Sequence, residues 1–140
     1  MNLREVSQLL YLIKLTDQKI GTQFENQVGF SLTRYELLMA LTDFQPCLQT
    51  QLQEALQIDQ AAVTRHLKIL EQKGYVDRQR NPKNNREIFV QLTDQAKLEL
   101  VACEEKHTNV QETVYPFFSQ EEFDQLSYLL TKLNQSIERK

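Results

Sequence analysis

The sequence predicts a mainly α-helical chain that carries one small β-hairpin. Apolar residues recur at helical spacing over most of its 140 residues, and only three glycines and three prolines interrupt them. The exception lies between residues 75 and 92, where apolar and polar residues alternate. There we predict two strands, residues 75–80 and 86–92, joined by the turn-forming residues 81–85.

Composition indicates one globular domain with a core of its own, because 41% of the residues are hydrophobic and 25% are charged. The N-terminus carries mixed charge without a long apolar core, so we expect no signal peptide. No apolar run approaches the length of a membrane span. Cys47 and Cys103 do not form a disulfide framework and suit a reducing compartment. We therefore expect a cytoplasmic protein without membrane association.

Residues 2–28 are predicted to form one long helix that ends at Gly29. Its partly interrupted apolar stripe consists of Leu3, Val6, Leu9, Leu10, Ile13, Ile20, Phe24 and Val28. A terminal helix of this length has more apolar face than a small domain easily covers. A dimer interface is one interpretation, and packing within the chain is the alternative.

The next helix is predicted to open on a capping box formed by Thr33 and Glu36. A short helix follows over residues 49–56, and a turn at Ile58 leads into another helix. Two helices joined by about four residues predict a helix-turn-helix, in which the second helix reads the groove. Thr50, with Gln49 beside it, could donate to a DNA phosphate.

The helix after this turn has an apolar back and a polar front. Asp59 is a good N-cap and Gly74 a good stop. Val63, Leu67 and Leu70 recur at i, i+4, i+7 and predict the buried face. The residues that we predict to contact DNA from the opposite face are Gln60, Thr64, Arg65 and Lys68. Amide and guanidinium groups of this kind hydrogen-bond base edges in a major groove.

Charge is segregated along the chain. Between Thr64 and Arg86 there are seven basic and two acidic residues, a local charge of +5, whereas the whole chain carries −3. A local basic patch matters more for DNA binding than the acidic total. The hairpin residues that we predict to contact DNA are Arg78, Lys83, Asn84 and Arg86.

The C-terminal third is predicted to be helical. Thr93 caps a helix from residue 94 to about 114, Pro116 breaks it, and Phe117 and Phe118 pack under the turn. Ser119 begins a second capping box, and the last helix runs to about residue 139. Its stripe consists of Leu126, Leu129, Leu130, Leu133 and Ile137. A second subunit is the simplest cover for this stripe.

The run AAVTRHLKILEQKGYVDR, followed by Arg86 and IFVQLTDQA, resembles the winged helix-turn-helix of the MarR family of bacterial transcription regulators. Two positions depart from the family pattern, since Asn84 replaces an aspartate of the wing and Ala96 a glycine. The resemblance implies a single MarR-like chain over residues 1–140. Within it, residues 31–93 form the DNA-binding lobe, and residues 1–28 and 94–140 form a helical dimerisation region.

The resemblance also implies a function. We expect a sequence-specific regulator, usually a repressor, that binds an inverted repeat in double-stranded DNA as a homodimer and responds to a small effector. We expect no enzyme, because the sequence has neither a phosphate-binding glycine loop nor a nucleophile motif. The alternative is a winged-helix module that binds a protein partner and no DNA.

The effector is left open. Cys103 and His107 are spaced i, i+4, and their position resembles that of a histidine pair in zinc-responsive members, with Glu36 at a third ligand position. Alternatively, Cys103 packs in the core and His107 is an ordinary helix residue. A third hypothesis is a small aromatic or phenolic effector near Tyr11, Tyr35 and Glu36. No cofactor is expected to be required.

Overall fold

A computed structural model describes residues 1–109 and 115–138, and it confirms the predicted mainly helical fold with a small antiparallel sheet. In chain order the helices and strands are α1 (Leu3–Val28), α2 (Leu32–Asp43), β1 (Cys47–Leu48), α3 (Gln49–Leu56), α4 (Gln60–Gln72), β2 (Val76–Asn81), β3 (Asn84–Leu92), α5 (Asp94–Lys106) and α6 (Gln120–Glu138). The chain divides into two compact units, Met1–Cys103 and Glu104–Lys140.

The first helix has the predicted bounds. The Asn2 side chain accepts a hydrogen bond from the Glu5 N–H at 2.9 Å, and the Glu5 carboxylate accepts one from the Asn2 N–H at 3.1 Å. This capping box satisfies two donors that the first turn would otherwise leave unpaired. Gly29 ends α1 with φ of +92°, a conformation that favours glycine.

The predicted start of the second helix is wrong. Ser31 is the N-cap of α2, so Thr33 already lies inside the helix and does not cap it. The ring of Phe30, just before the N-cap, packs on Tyr35 with ring centroids 6.0 Å apart. Such a hydrophobic contact across the first turn fixes where a helix begins.

The core of the first unit lies between α2, α3, α4 and the sheet. Its buried side chains are Leu37, Leu38, Leu41, Cys47, Leu52, Val63, Leu67, Leu70, Val76, Val90, Leu92, Ala96 and Leu100. The three residues predicted for the back of α4 are all among them, as are three of the four leucines of α2, Leu37, Leu38 and Leu41. This core holds α3 and α4 together and leaves the front of α4 in solvent.

The sheet contains a strand that was not predicted. Its order is β1-β3-β2, and β1 pairs with β3 through Cys47 opposite Val90 and Leu48 opposite Phe89. Cys47 is buried within this strand. The hairpin turn is also tighter than predicted, because Asn84 already belongs to β3 and pairs with Asn81.

Thr93 joins the hairpin to the next helix as predicted. Its hydroxyl accepts a hydrogen bond from the Ala96 N–H at 3.1 Å and donates to the Gly74 carbonyl at 2.7 Å. However, α5 ends at Lys106, before the predicted residue 114. Residues 110–114 and 139–140 lie outside the described residues. The predicted helix end near residue 114 and the predicted end of the last helix near residue 139 fall on them.

In the unit Glu104–Lys140, the capping box that opens α6 is confirmed. The Ser119 hydroxyl accepts from the Glu122 N–H, and the Glu122 carboxylate accepts from the Ser119 N–H, both at 3.1 Å. The packing predicted for Phe117 is wrong, because this side chain is 72% exposed, whereas Phe118 is half-buried.

The apolar faces of the two terminal helices are exposed. No residue of α1 or of α6, both within the described part of the chain, is buried. The large exposed side chains include Leu9, Leu10, Leu12, Phe123, Leu126, Leu129, Leu130 and Ile137. Among the described residues, no helix combines the length and the apolarity that crossing a membrane requires.

Candidate nucleic-acid interface

The outward face of α4 is polar and accessible. The Asp59 carboxylate caps the helix by accepting a hydrogen bond from the Ala62 N–H at 2.7 Å, as predicted. Gly74, with φ of +81°, follows its end. The four residues predicted to face DNA are all exposed, and they are Gln60, Thr64, Arg65 and Lys68. They offer amide, hydroxyl, guanidinium and ammonium groups, which suit base edges and phosphates.

The start of α3 contacts this face through Gln49. Its side-chain Nε2 donates to the Thr64 hydroxyl oxygen at 2.9 Å, and the residue is only 9% exposed. Gln49 was expected to contact a phosphate, and this is wrong because burial commits its side chain to α4. Thr50, the next residue, is exposed and remains available to a phosphate.

The tip of the hairpin is held by hydrogen bonds from its asparagines and from one arginine. The Asn81 side chain accepts from the Lys83 N–H at 3.0 Å, and the Asn84 side chain accepts from the Arg86 N–H at 3.2 Å. Arg80 donates from Nη1 to the Asn85 carbonyl at 2.9 Å. Lys83, Asn84 and Arg86 are exposed, as a DNA-contacting wing requires.

Arg78, predicted as a DNA contact, is instead engaged within the protein. Its Nε and Nη2 atoms donate to the two carboxylate oxygens of Glu71, each at 3.2 Å, and its side chain is only 19% exposed. Hydrogen bonding from Arg78 lowers the pKa of Glu71. The signal was present in the sequence, because opposite charges flank the Gly74 turn, but the prediction counted Arg78 only as a surface cation.

His66 lies half-buried at the edge of the α4 core face. Burial lowers the pKa of His66, and the positive charges of Arg34 and Arg65 lower it further. Within the described residues, its Nδ1 atom is buried without a hydrogen-bond partner. Burial and the two neighbouring guanidinium groups therefore favour the neutral form of the imidazole.

A cavity of about 460 Å³ opens between α2 and the end of α3. Its lining residues are Leu32, Thr33, Glu36, Met39, Ala40, Asp43, Phe44, Ala55, Leu56 and Ile58. The volume falls in the range of small-molecule sites, and the lining combines apolar groups with two carboxylates.

The predicted effector residues are not gathered in this cavity. Glu36 lines it, whereas the Tyr35 ring packs with Phe24 and Phe30, and Tyr11 is 59% exposed on α1. Of these three residues, only Glu36 lines this cavity.

The cysteine and histidine of the predicted zinc site do not share one helix. His107 lies in the turn after α5 rather than on the helix, and the Cys103 thiol lies 3.9 Å from the Val28 carbonyl oxygen. Among the described residues there is no group of three or more histidine, cysteine, aspartate or glutamate side chains that could hold a metal ion.

A helix-turn-helix with a polar second helix, followed by a basic hairpin, defines a winged-helix protein of the DNA-binding class. The sequence profile of the MarR family matches residues 30–88. The chain is 36% identical over 133 residues to the HTH-type transcriptional regulator YdgJ of Bacillus subtilis, covering 95% of this chain and 81% of that protein.

Solved structures share the fold. A mutant MarR from E. coli complexed with operator DNA gives a TM-score of 0.80 at 24% identity, covering 95% of this chain and 99% of that one. Reduced AbfR bound to DNA gives 0.79 at 22% identity, covering 97% and 95%. The chain belongs to the MarR family, whose members are DNA-binding transcription regulators and not enzymes.

Proposed function

We propose that this protein is a cytoplasmic homodimeric repressor that binds an inverted-repeat operator. The observation that carries the proposal is the exposed front of α4, where Gln60, Thr64, Arg65 and Lys68 stand over a fully apolar back. Relatives of the same fold have been captured on DNA, one of them on its operator, which supports the same use of this face here.

The wing supplies the second contact. Arg86 is exposed, and its backbone N–H is held by Asn84, so the start of β3 has a defined direction. An arginine of this kind inserts favourably into a narrow A·T-rich minor groove, where the negative potential is strongest. Lys83 at the tip adds a phosphate contact that carries no sequence information.

The exposed apolar faces of α1 and α6 support the homodimer. Leu9 on α1 is 56% exposed and Leu129 on α6 is 58% exposed, and such faces are usually covered in an assembly. A twofold dimer presents two recognition helices about 34–36 Å apart, one turn of the duplex. The half-sites should therefore be related by inversion and lie on one face of the DNA.

The experiment is selection of genomic fragments on the purified protein, followed by fluorescence anisotropy with the enriched duplex and a scrambled duplex. We expect one inverted repeat, a stoichiometry of two chains per site, and affinity that falls steeply with salt. Equal, weak affinity for both duplexes would instead favour the protein-interaction module. Repression is then tested with a reporter placed behind the selected site.

A second candidate function is regulation by a small aromatic effector, and the cavity between α2 and α3 favours it. Because Glu36 and Asp43 place two carboxylates among apolar groups, a neutral or cationic aromatic compound fits better than an aromatic acid. Screening such compounds for release of the operator tests this. Active compounds should lose their effect in Glu36→Gln and keep it in Glu105→Gln, whose carboxylate is exposed on α5 and lies outside the cavity.

A further inference from the structure

We propose that Gln49 is a positioning residue that favours donation by the hydroxyl of Thr64 and thereby biases base preference at one operator position. The inference rests on the proposed DNA binding and deepens it. Gln49 does not touch DNA in this proposal, because only 9% of it is exposed. It acts through Thr64, which is exposed in the middle of the α4 front.

Thr64 differs from three other helical threonines of this chain. Thr16, Thr42 and Thr131 each donate their hydroxyl hydrogen to the carbonyl four residues back, at 2.7 to 3.0 Å. Within the described residues, Thr64 makes no such bond, and its hydroxyl oxygen accepts from Gln49 Nε2 instead. Its hydrogen is therefore not consumed by the helix backbone, which is the usual destination for a threonine hydroxyl hydrogen in a helix.

The orientation of the Gln49 amide follows from burial. The Oε1 atom is buried without a partner in the described residues, whereas Nε2 is paired with Thr64. Rotating the amide by half a turn would place the oxygen on Thr64 and bury an unpaired NH2 group with two donors. In the observed orientation one of the two N–H donors is paired with Thr64. Buried N–H donors are left unpaired more rarely than carbonyl oxygens, so the orientation with fewer unpaired N–H donors is the favoured one.

The consequence is a preferred polarity on the recognition face. A hydroxyl has one hydrogen to donate and two lone pairs to accept with. Gln49 occupies one lone pair, and accepting this bond polarises the O–H group and strengthens it as a donor. The hydrogen remains for an acceptor on the DNA. In the major groove the acceptors are N7 and O6 of guanine, N7 of adenine and O4 of thymine, whereas cytosine presents the N4 donor. Thr64 should therefore discriminate against cytosine at its contact.

The test compares base-preference profiles, measured as affinities for the selected operator and for every single-base-pair variant of it. Gln49→Met removes the amide and keeps the length of the side chain. We expect discrimination at one position per half-site to fall about two- to tenfold, the worth of one net hydrogen bond, with other positions unchanged. Thr64→Val should cause the same loss at the same position, and the double variant should lose no more than either single variant.

Gln49→Glu gives the sharper result. A carboxylate only accepts, so the Thr64 hydroxyl must donate to it and can then only accept from DNA. Preference at the same position should shift towards a base that presents a donor. Gln51→Glu is the matched control, because it adds the same charge to the first turn of α3 and keeps the acceptor that holds the Leu48 N–H at 2.7 Å.

The outcomes separate the two proposals. If wild-type protein binds no duplex preferentially, the proposed function fails and this inference falls with it. If wild-type protein discriminates while folded Gln49→Met and Thr64→Val keep its full profile, the inference alone is overturned. A loss spread evenly over all operator variants would also overturn it, because that result indicates a phosphate contact. Circular dichroism of each variant establishes that it is folded.

Discussion

Arg78 donates hydrogen bonds to both carboxylate oxygens of Glu71, from Nε and from Nη2, each at 3.2 Å. This pair connects the last turn of α4 to the first strand of the wing. The two elements meet across the Gly74 turn, and this pair adds a second link between them. Because the arginine is committed to this pair, we expect it to place the wing and not to contact DNA.

We therefore predict that Arg78→Met and Glu71→Gln each reduce the free energy of unfolding by about 0.2–1 kcal/mol, the range of partly exposed ion pairs. The double variant should cost less than the sum, because the two residues are coupled. Urea denaturation measures all three, with Lys73→Met as the control for loss of an exposed positive charge. Strict additivity would contradict the pairing.

A second prediction concerns acid. Burial, with Arg34 and Arg65, holds the pKa of His66 below its ordinary value, so the unfolded chain takes up the proton first as the pH falls. The contribution of His66 to the free energy of unfolding is therefore fully present above the ordinary histidine pKa of about 6.5. It is lost as the pH falls below that value. The wild-type free energy of unfolding should fall more steeply between about pH 7 and pH 5 than that of His66→Gln.

The matched control for this experiment is His107→Gln, which changes the other histidine of the chain. Chemical denaturation at a series of pH values gives the difference between each variant and wild type. Parallel curves for wild type and His66→Gln would mean that His66 protonates as easily in the folded chain as in the unfolded one.

The wing gives a third prediction. Arg86→Ala should weaken operator binding by about 1–3 kcal/mol and relax preference for the A·T-rich bases beneath the wing. Lys83→Ala should weaken binding similarly on all sequences and reduce the salt slope by about 1. Anisotropy titrations at several salt concentrations separate the two effects. An Arg86→Ala variant with wild-type affinity at physiological salt would remove the wing contact from the proposal.

Local chemistry explains what could be predicted from the sequence. Asp59, Gly74 and Thr93 end or begin helices because their own side chains or backbone freedom satisfy neighbouring groups. The back of α4 was predictable for a similar reason, since helical spacing alone puts Val63, Leu67 and Leu70 on one side.

What was missed depends on partners distant in the chain. The two-residue strand β1 exists because Cys47 meets Val90, and no local pattern marks so short a strand. Gln49 and Arg78 do not have their predicted roles because each is hydrogen-bonded to a residue of α4. Gln49 donates to Thr64, and Arg78 donates to Glu71. A glutamine or arginine in isolation indicates only polarity, and its partner decides whether it faces DNA or holds the protein together.

The last prediction concerns assembly through α6. Deleting residues 119–140 removes the exposed stripe of this helix, whose members include Leu126 and Leu130, 45% and 42% exposed. We expect the truncated chain to be monomeric or insoluble and unable to bind a full inverted repeat. A dimer places both recognition helices on one site, so loss of the second chain removes that chain's contacts together with the spacing constraint.

A point variant makes the same test without removing the helix. Leu130→Glu puts a charge into the stripe, and burying that charge in an interface is unfavourable. Gln135→Glu adds the same charge on the opposite side of α6, five residues away along the helix, and should leave assembly intact. Sedimentation velocity then distinguishes the species. A Leu130→Glu chain that still sediments as a dimer and binds the operator would place the interface on α1 rather than on α6.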